Sequence, residues 1–381
     1  MRRVLFDPEH QAFRDSARSF IAKEITPRYP EWDRAGIVPR ELFALAGALG
    51  LFAAVPEQFG GAGVTDFRYN AVFAEEAARA GVTPATVGLS LQSDVCMPYL
   101  IGLADEEQKR RWLPGIANGR LITAIAMTEP GTGSDLSGIG TRAVRDGGDY
   151  VVNGAKTFIT NGINADLVIT AVRTAEHPHK GLSLLVIEEG MVGFERGRNL
   201  EKVGMHAQDT AELSFSDVRV PTANLLGAEG EGFYGLTRNL PQERISIAVT
   251  AVAQSAAAVE ETIGYVRSRT AFGKPIGSLQ NTRFRLAELV TEIDIAQQFV
   301  DRCILELVDG ALSPVDAAKA KWWATELQGR TMDACVQLHG GYGYMLDYPI
   351  ARAWADSRVS RIYGGSTEIM KEIIGRSLEL G

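Results

Sequence analysis

Ala126-Met127-Thr128-Glu129-Pro130-Gly131-Thr132-Gly133-Ser134-Asp135 is a short apolar run that enters a turn of small and hydroxylated residues. Backbone N–H groups in such a turn, with the hydroxyls of Thr128 and Ser134, can converge on a ligand. It is not a dinucleotide fingerprint, because Gly131-Thr132-Gly133 lacks a third glycine and no helical pattern follows; nor is it a P-loop, because no Gly-Lys-Ser/Thr is present. An ordinary polar turn is the competing reading. A second candidate is a carboxylate. Leu240-Pro241-Gln242-Glu243-Arg244 reads as a helix start, with Asn239 as cap and Pro241 in the first turn. Glu243 is then either a general base or a first-turn acid favoured by the helix dipole, at about 0.3–1 kcal/mol. Metal chemistry is poorly supplied. The five histidines are scattered, with only His177 and His179 close together in a Pro-containing loop. The three cysteines, Cys96, Cys303 and Cys335, form no Cys-x-x-Cys, which argues against disulfides and zinc and fits a reducing cytoplasm.

The elements that must position these residues follow from length and pattern. A chain of 381 residues is long enough for two or three cores. A net charge of −8 argues against nucleic acid, whose phosphates need a basic face. No apolar run reaches 18 residues, and the opening residues, which meet Asp7 and Pro8, do not read as a signal peptide. The C-terminal Glu379-Leu380-Gly381 is no peroxisomal address. Helical stripes run over 9–24, 40–50, 67–80 and 106–116, with Pro27 stopping the first. Short β-branched runs follow at 121–127, 150–153, 167–172, 182–187 and 212–220. Beyond Gly230, Ile245, Val249, Val252, Ala256 and Val259 form one long apolar seam and Leu286, Leu289, Ile293, Ala296 and Val300 another. Such seams pack as a bundle. Ser313-Pro314 starts a third helix running to Leu338, and Ser366-Thr367-Glu368 starts the last. The expected architecture is α+β: an N-terminal helical domain (1–119), a middle antiparallel β domain (120–228) and a C-terminal four-helix-bundle domain (229–381).

Residues 127–135 closely resemble a signature of the acyl-CoA dehydrogenase family, and Gln337-Leu338-His339-Gly340-Gly341-Tyr342-Gly343-Tyr344 resembles a second. Pro56 to Gly63, Lys156-Thr157-Phe158-Ile159-Thr160-Asn161-Gly162 and Arg269-Thr270-Ala271-Phe272-Gly273-Lys274-Pro275 are also similar to the family, collinearly over nearly the whole chain. The resemblance implies FAD between the β domain and the C-terminal helices. It places Met127, Thr128, Gly133 and Ser134 at the isoalloxazine, Phe158 near the ring, and Ile159 and Thr160 with neighbouring backbone at the N5 edge. Many members carry Trp where this chain has Phe158, so the contact there is smaller. Arg269, Phe272, Gln280, Gln337, Leu338, His339, Gly340 and Gly341 resemble positions through which a neighbouring subunit holds the pyrophosphate and adenine. Arg269 offers a fork for a diphosphate and Gly340-Gly341 a close backbone approach. The helix beginning at Ser366, Thr367 and Glu368 turns amides toward the dinucleotide.

The base departs from the commoner pattern. Many members place a Glu after the Tyr of an Ile-Tyr-Glu-Gly segment, whereas this chain reads Ile362-Tyr363-Gly364-Gly365. Residues 240–244 instead resemble the long-chain branch, which implies Glu243 as the base. The family then implies α,β-dehydrogenation of a fatty acyl-CoA to a trans-2-enoyl-CoA, with hydride passing to flavin N5. The thioester oxygen is expected to be polarised by a flavin ribityl hydroxyl and the Glu243 amide. Ser134, Tyr234, Arg244, Gly364 and Gly365 are the expected substrate contacts, and Gly364 is expected to leave room for longer or branched chains. Electron transfer flavoprotein as acceptor and a homotetramer are further implications. The rivals are an oxygen-using enzyme of the same fold and a non-catalytic FAD-binding homologue.

Overall fold

A computed structural model describes residues 3–380. The N-terminal part is helical: α1 (Pro8–Phe20), α2 (Tyr29–Ala35), α3 (Glu41–Leu49), α4 (Arg68–Arg79), α5 (Thr83–Ser90), α6 (Met97–Leu103) and α7 (Glu106–Ala117). Two π-helical segments interrupt it, Ile21–Ile25 after α1 and Leu91–Cys96 between α5 and α6. Such segments displace side chains from the regular helical face and recur at functional sites. The second matters below.

The middle part carries β1 (Thr123–Ala126), β2 (Arg142–Asp146), β3 (Asp149–Thr160), β4 (Leu167–Arg173), β5 (Leu182–Glu188), β6 (Phe194–Asn199), β7 (Thr210–Pro221) and β8 (Leu225–Leu226). The order across the sheet is β6-β7-β3-β2-β4-β5-β8, with β1 paired to β4. Most ladders are antiparallel, but β1–β4 is parallel, and β2 meets β4 in parallel at Arg142 and Arg173. The sheet is therefore mixed rather than wholly antiparallel. Strands β4 and β5 are buried on both faces. Leu167, Ile169 and Ala171 point into the core shared with the N-terminal helices, while Val168 and Val172 point into a second core on the opposite face. This period-two split lets one strand serve two layers.

The C-terminal part has α8 (Gly232–Ser268), a small hairpin of β9 (Thr270–Ala271) and β10 (Lys274–Pro275), α9 (Gln280–Val308), α10 (Pro314–His339), α11 (Pro349–Ser357) and α12 (Thr367–Arg376). Helices α8, α9 and α10 pack on one another, and α12 packs on α10. The seam residues Ile245, Val249, Val252, Leu289, Ile293 and Val300 lie in their shared core, where Phe67 and Ala71 near α4 join them. Helix α8 is thus gripped from two sides, by its own bundle and by the N-terminal helices.

Candidate active site

Glu243 does not stand in a first turn. Helix α8 begins at Gly232, so Glu243 is its twelfth residue and Pro241 lies inside the helix. Pro241 has no N–H to give the carbonyl four residues back, that of Thr237. The Asn239 cap inferred from sequence is overruled, because the preceding turns at 232–238 are themselves held by packing: Gly235 and Leu236 are buried. An in-helix amide beyond the first turn is committed to its own helix. The Glu243 amide is therefore not the free donor expected for a thioester oxygen.

The Glu243 side chain is 6% exposed. Its Oε1 accepts a hydrogen bond from Tyr99 Oη of α6 at 2.8 Å. Burial raises its pKa to about 7, against the hydrogen bond from Tyr99 and the positive charge of Arg244, which pull the other way. A carboxylate tuned in this way is a usable base near neutrality. The π-helical segment 91–96 supports the same turn of α8. Asp94 carbonyl oxygen accepts from Gln242 Nε2 at 2.7 Å, and its carboxylate accepts from Ser246 Oγ and from Asn70 Nδ2. Residues immediately before and one turn after Glu243 are thereby tied to the N-terminal helices.

Arg244 faces another way. It is buried and its Nε has no hydrogen-bond partner among the described residues. Burial holds its pKa down, only partly opposed by Glu243. Lys321 of α10, fully buried, donates to the Gly365 carbonyl oxygen at 2.6 Å, and burial together with Arg244 lowers its pKa to about 8. Two buried cations thus flank the Gly364-Gly365 turn. Both glycines have positive φ, 64° and 99°. Among the described residues neither amide donates to a backbone carbonyl. A Cβ at 364 would lie 2.3 Å from Ile247 Cδ1. A side chain at 364 would therefore meet the flexible end of Ile247, one turn beyond Glu243.

The turn after β1 is clamped from below. Lys156 of β3 is fully buried and donates to the Met127 carbonyl oxygen at 3.0 Å and to Glu129 Oε1 at 2.8 Å. Glu129 also accepts from the amides of Gly140 and Thr141, and the Thr128 carbonyl oxygen accepts from the Thr157 amide. Met127 and Thr128 are half-buried, and Gly133 and Ser134 are exposed at the tip. The β3–β7 register shifts between Lys156 and Ile159. This bulge puts Phe158 at φ 61° and 68% exposed, an aromatic face presented outward from a sheet strand. Ile159 points into the core, so only its backbone can reach a ligand, and Thr160 is half-buried.

The remaining predicted residues form a separate group. Arg269, Gln337, Leu338, His339, Gly340 and Gly341 line one open groove. There the Arg269 guanidinium lies 5.3 Å from the Tyr342 ring, and Tyr265 Oη donates to the His339 carbonyl oxygen at 3.1 Å. Phe272, 92% exposed, tops the β9–β10 hairpin, and Gln280 is exposed at the start of α9. Tyr265 is 22 residues beyond Glu243 on α8, about 33 Å at 1.5 Å per residue. One chain does not bring the groove and Glu243 together. At α12, Ser366 Oγ caps the Ile369 amide, Thr367 Oγ1 is engaged by Glu326 of α10, and Glu368 is exposed in the first turn. Tyr234 is 45% exposed in the first turn of α8. Sequence reasoning missed Tyr99, Asp94 and the Lys156–Glu129 pairing; Lys156 was visible only as part of a motif.

Comparison with known proteins accounts for this arrangement. Residues 7–120, 124–218 and 230–379 match the N-terminal, middle and C-terminal domains of acyl-CoA dehydrogenase. The chain is 48% identical over 380 residues to the mitochondrial long-chain specific acyl-CoA dehydrogenase of Sus scrofa, covering 99% of this chain and 88% of that one. A crystal structure of acyl-CoA dehydrogenase from Geobacillus kaustophilus superposes with a TM-score of 0.97 at 49% identity, with 100% of both chains covered. A glutaryl-CoA dehydrogenase from Mycobacterium smegmatis, solved in complex with FADH2, gives 0.91 at 27% identity over 98% of this chain and 95% of that one. With matches to all three domains and close identity along nearly its full length, the chain belongs to the acyl-CoA dehydrogenase family of oxidoreductases.

Proposed function

We propose that the chain removes the α-proton and β-hydrogen of a fatty acyl-CoA, with Glu243 as the base, yielding a trans-2-enoyl-CoA. The observation that carries this reading is the buried Glu243 carboxyl with a pKa of about 7, its Oε1 held by the Tyr99 hydroxyl. The residues present fit FAD. Phe158 offers an outward aromatic face beside the clamped turn of Met127, Thr128, Gly133 and Ser134, and the backbone of Ile159 and Thr160 continues it. Bound FAD would supply the acceptor for the β-hydrogen as hydride. The α-proton of a thioester is a weak acid, so the chain must also stabilise the developing enolate oxygen; one such donor is worth about 3–4 kcal/mol in comparable sites. The amides of the Gly364-Gly365 turn, free of backbone acceptors, are assigned this role in place of the Glu243 amide. Arg244 and Lys321 add positive charge behind that turn.

Arg269, Phe272, Gln280, residues 337–341 and Ser366, Thr367 and Glu368 are assigned to the far half of FAD, met across a subunit boundary because about 33 Å of α8 separates the groove from Glu243. The reading extends to a homotetramer, to electron transfer flavoprotein as acceptor, to a cytoplasmic location and to domain boundaries at 119/120 and 228/229. Ser134 and Tyr234 are assigned to the acyl-CoA channel. A long-chain substrate is favoured over a short one by the 48% identity to the long-chain specific enzyme. Anaerobic addition of a straight and methyl-branched acyl-CoA panel, followed by flavin absorbance, tests the function. Bleaching by long-chain acyl-CoA is expected; a flavin that stays yellow with every acyl-CoA would contradict it.

A further inference from the structure

Tyr99 is fully buried, and its hydroxyl reaches two acceptors on α8, Glu243 Oε1 at 2.8 Å and the Leu236 carbonyl oxygen at 3.4 Å. A phenol carries one hydrogen and can serve only one acceptor at a time. Leu236 and Glu243 are seven residues apart, two turns along one face of α8, and helical side chains lean toward the N-terminus, so the carboxyl reaches back over the turn that carries the Leu236 carbonyl. Tyr99 itself is rooted in α6, directly after Pro98 and the π-helical segment, on the N-terminal helices that pack on α8.

We propose that Tyr99 is a positioning residue for the Glu243 base, with a hydrogen bond that is strong while the base is ionised and weakens once the base is protonated. The proposal rests on the reading of Glu243 as base. While Glu243 is ionised, the charged oxygen is the stronger acceptor and takes the phenol hydrogen. Once Glu243 holds the substrate proton on the oxygen that Tyr99 does not hold, Oε1 is a neutral carbonyl oxygen and a weaker acceptor, and the phenol hydrogen can turn to the Leu236 carbonyl. The C–H bond of the substrate breaks and an O–H bond forms on Glu243; no bond to hydrogen on Tyr99 breaks. Burial and the neighbouring Glu243 push the Tyr99 pKa well above its ordinary value, so the phenol stays protonated throughout. The other groups facing Glu243 do not substitute for it. Cys96, from the π-helical segment, is pushed up to about 12 by burial and is neutral; Arg244, on the same helix, acts through charge alone; Asp94 is saturated by Ser93, Asn70 and Ser246.

The test is the pH profile of kcat/KM, whose acid limb reports the base in the free enzyme. Tyr99→Phe deletes only the hydroxyl. The ionised form of Glu243 then loses its donor, and the limb should move to higher pH by about one unit, a tenfold loss of rate on the acid side. Replacement of Tyr99 by 3,5-difluorotyrosine, a stronger donor of the same shape, should move the limb to lower pH, and decides the matter if Tyr99→Phe fails to fold. The protonated-carboxyl stretch in infrared difference spectra, wild type against Glu243→Gln, should titrate with the same shifts. A limb and an infrared titration unmoved in both Tyr99 variants would overturn the proposal while leaving the base in place. Wild-type turnover by Glu243→Gln would instead remove the base reading itself.

Discussion

Glu243→Gln carries a stability signature that needs no substrate. Burial raises the Glu243 carboxyl from its ordinary value of 4.5 to about 7. The fold therefore prefers the protonated acid. The stability this group contributes is fully present below about pH 4.5 and is lost as pH rises to about 7, where the folded state must bury a charge. At about 1.4 kcal/mol per pH unit the loss amounts to about 3 kcal/mol. Glutamine keeps the volume and the oxygen that accepts from Tyr99 but never ionises. Urea unfolding of holoprotein in excess FAD, run from pH 4.5 to 8, should show the two proteins nearly matched at the acid end. The variant should gain across the interval and level off at about 3 kcal/mol more stable than wild type. A difference between them that does not vary with pH would refute the claim that this carboxyl is desolvated without a full counter-charge.

Three other perturbations follow from the site. Lys156→Met leaves the Glu129 carboxylate without its cation beneath the turn, and should cost about 3–5 kcal/mol in urea unfolding and increase FAD loss on gel filtration; undiminished FAD retention would show the clamp to be irrelevant to the flavin site. Phe158→Ala should change urea-unfolding stability by less than about 0.5 kcal/mol, because the residue is mostly exposed, yet weaken FAD binding in a fluorescence titration. Gly364→Glu in a Glu243→Gln background should not restore flavin reduction, because the new side chain needs a left-handed backbone, which costs about 1–2 kcal/mol, and meets Ile247. Adding Ile247→Ala should recover part of it; recovery without that change would show Ile247 to be no obstacle.

Much of the frame was legible because periodicity reports burial. The seams through Ile245 to Val259 and Leu286 to Val300 became α8 and α9, and Ser313-Pro314 started α10 as its cap chemistry requires. Elements that break the period were not legible. The π-helical segment 91–96 carries no regular stripe, and β6 is largely solvated, so neither announces itself. The helix start before Glu243 was misplaced because Pro241 carries the same local signal at a first turn and inside a longer helix; the packing of Gly235 and Leu236 decides between them. The sequence motif singles out Glu243, but not the hydroxyl that its carboxylate meets. Tyr99 lies 144 residues away, and nothing in α6 alone marks its hydroxyl as aimed at a carboxylate. Likewise nothing around position 364 in the sequence marks Ile247 of α8 as its neighbour.

The account stands on the Glu243 carboxylate as the group that takes the α-proton. The direct measurement is the rate of flavin reduction in anaerobic stopped flow, with saturating long-chain acyl-CoA, for wild type and for Glu243→Gln containing full FAD. The expected result is a fall of about 10²–10⁴-fold or more in the reduction rate, with acyl-CoA still bound. Reduction of the variant at the wild-type rate would contradict the account.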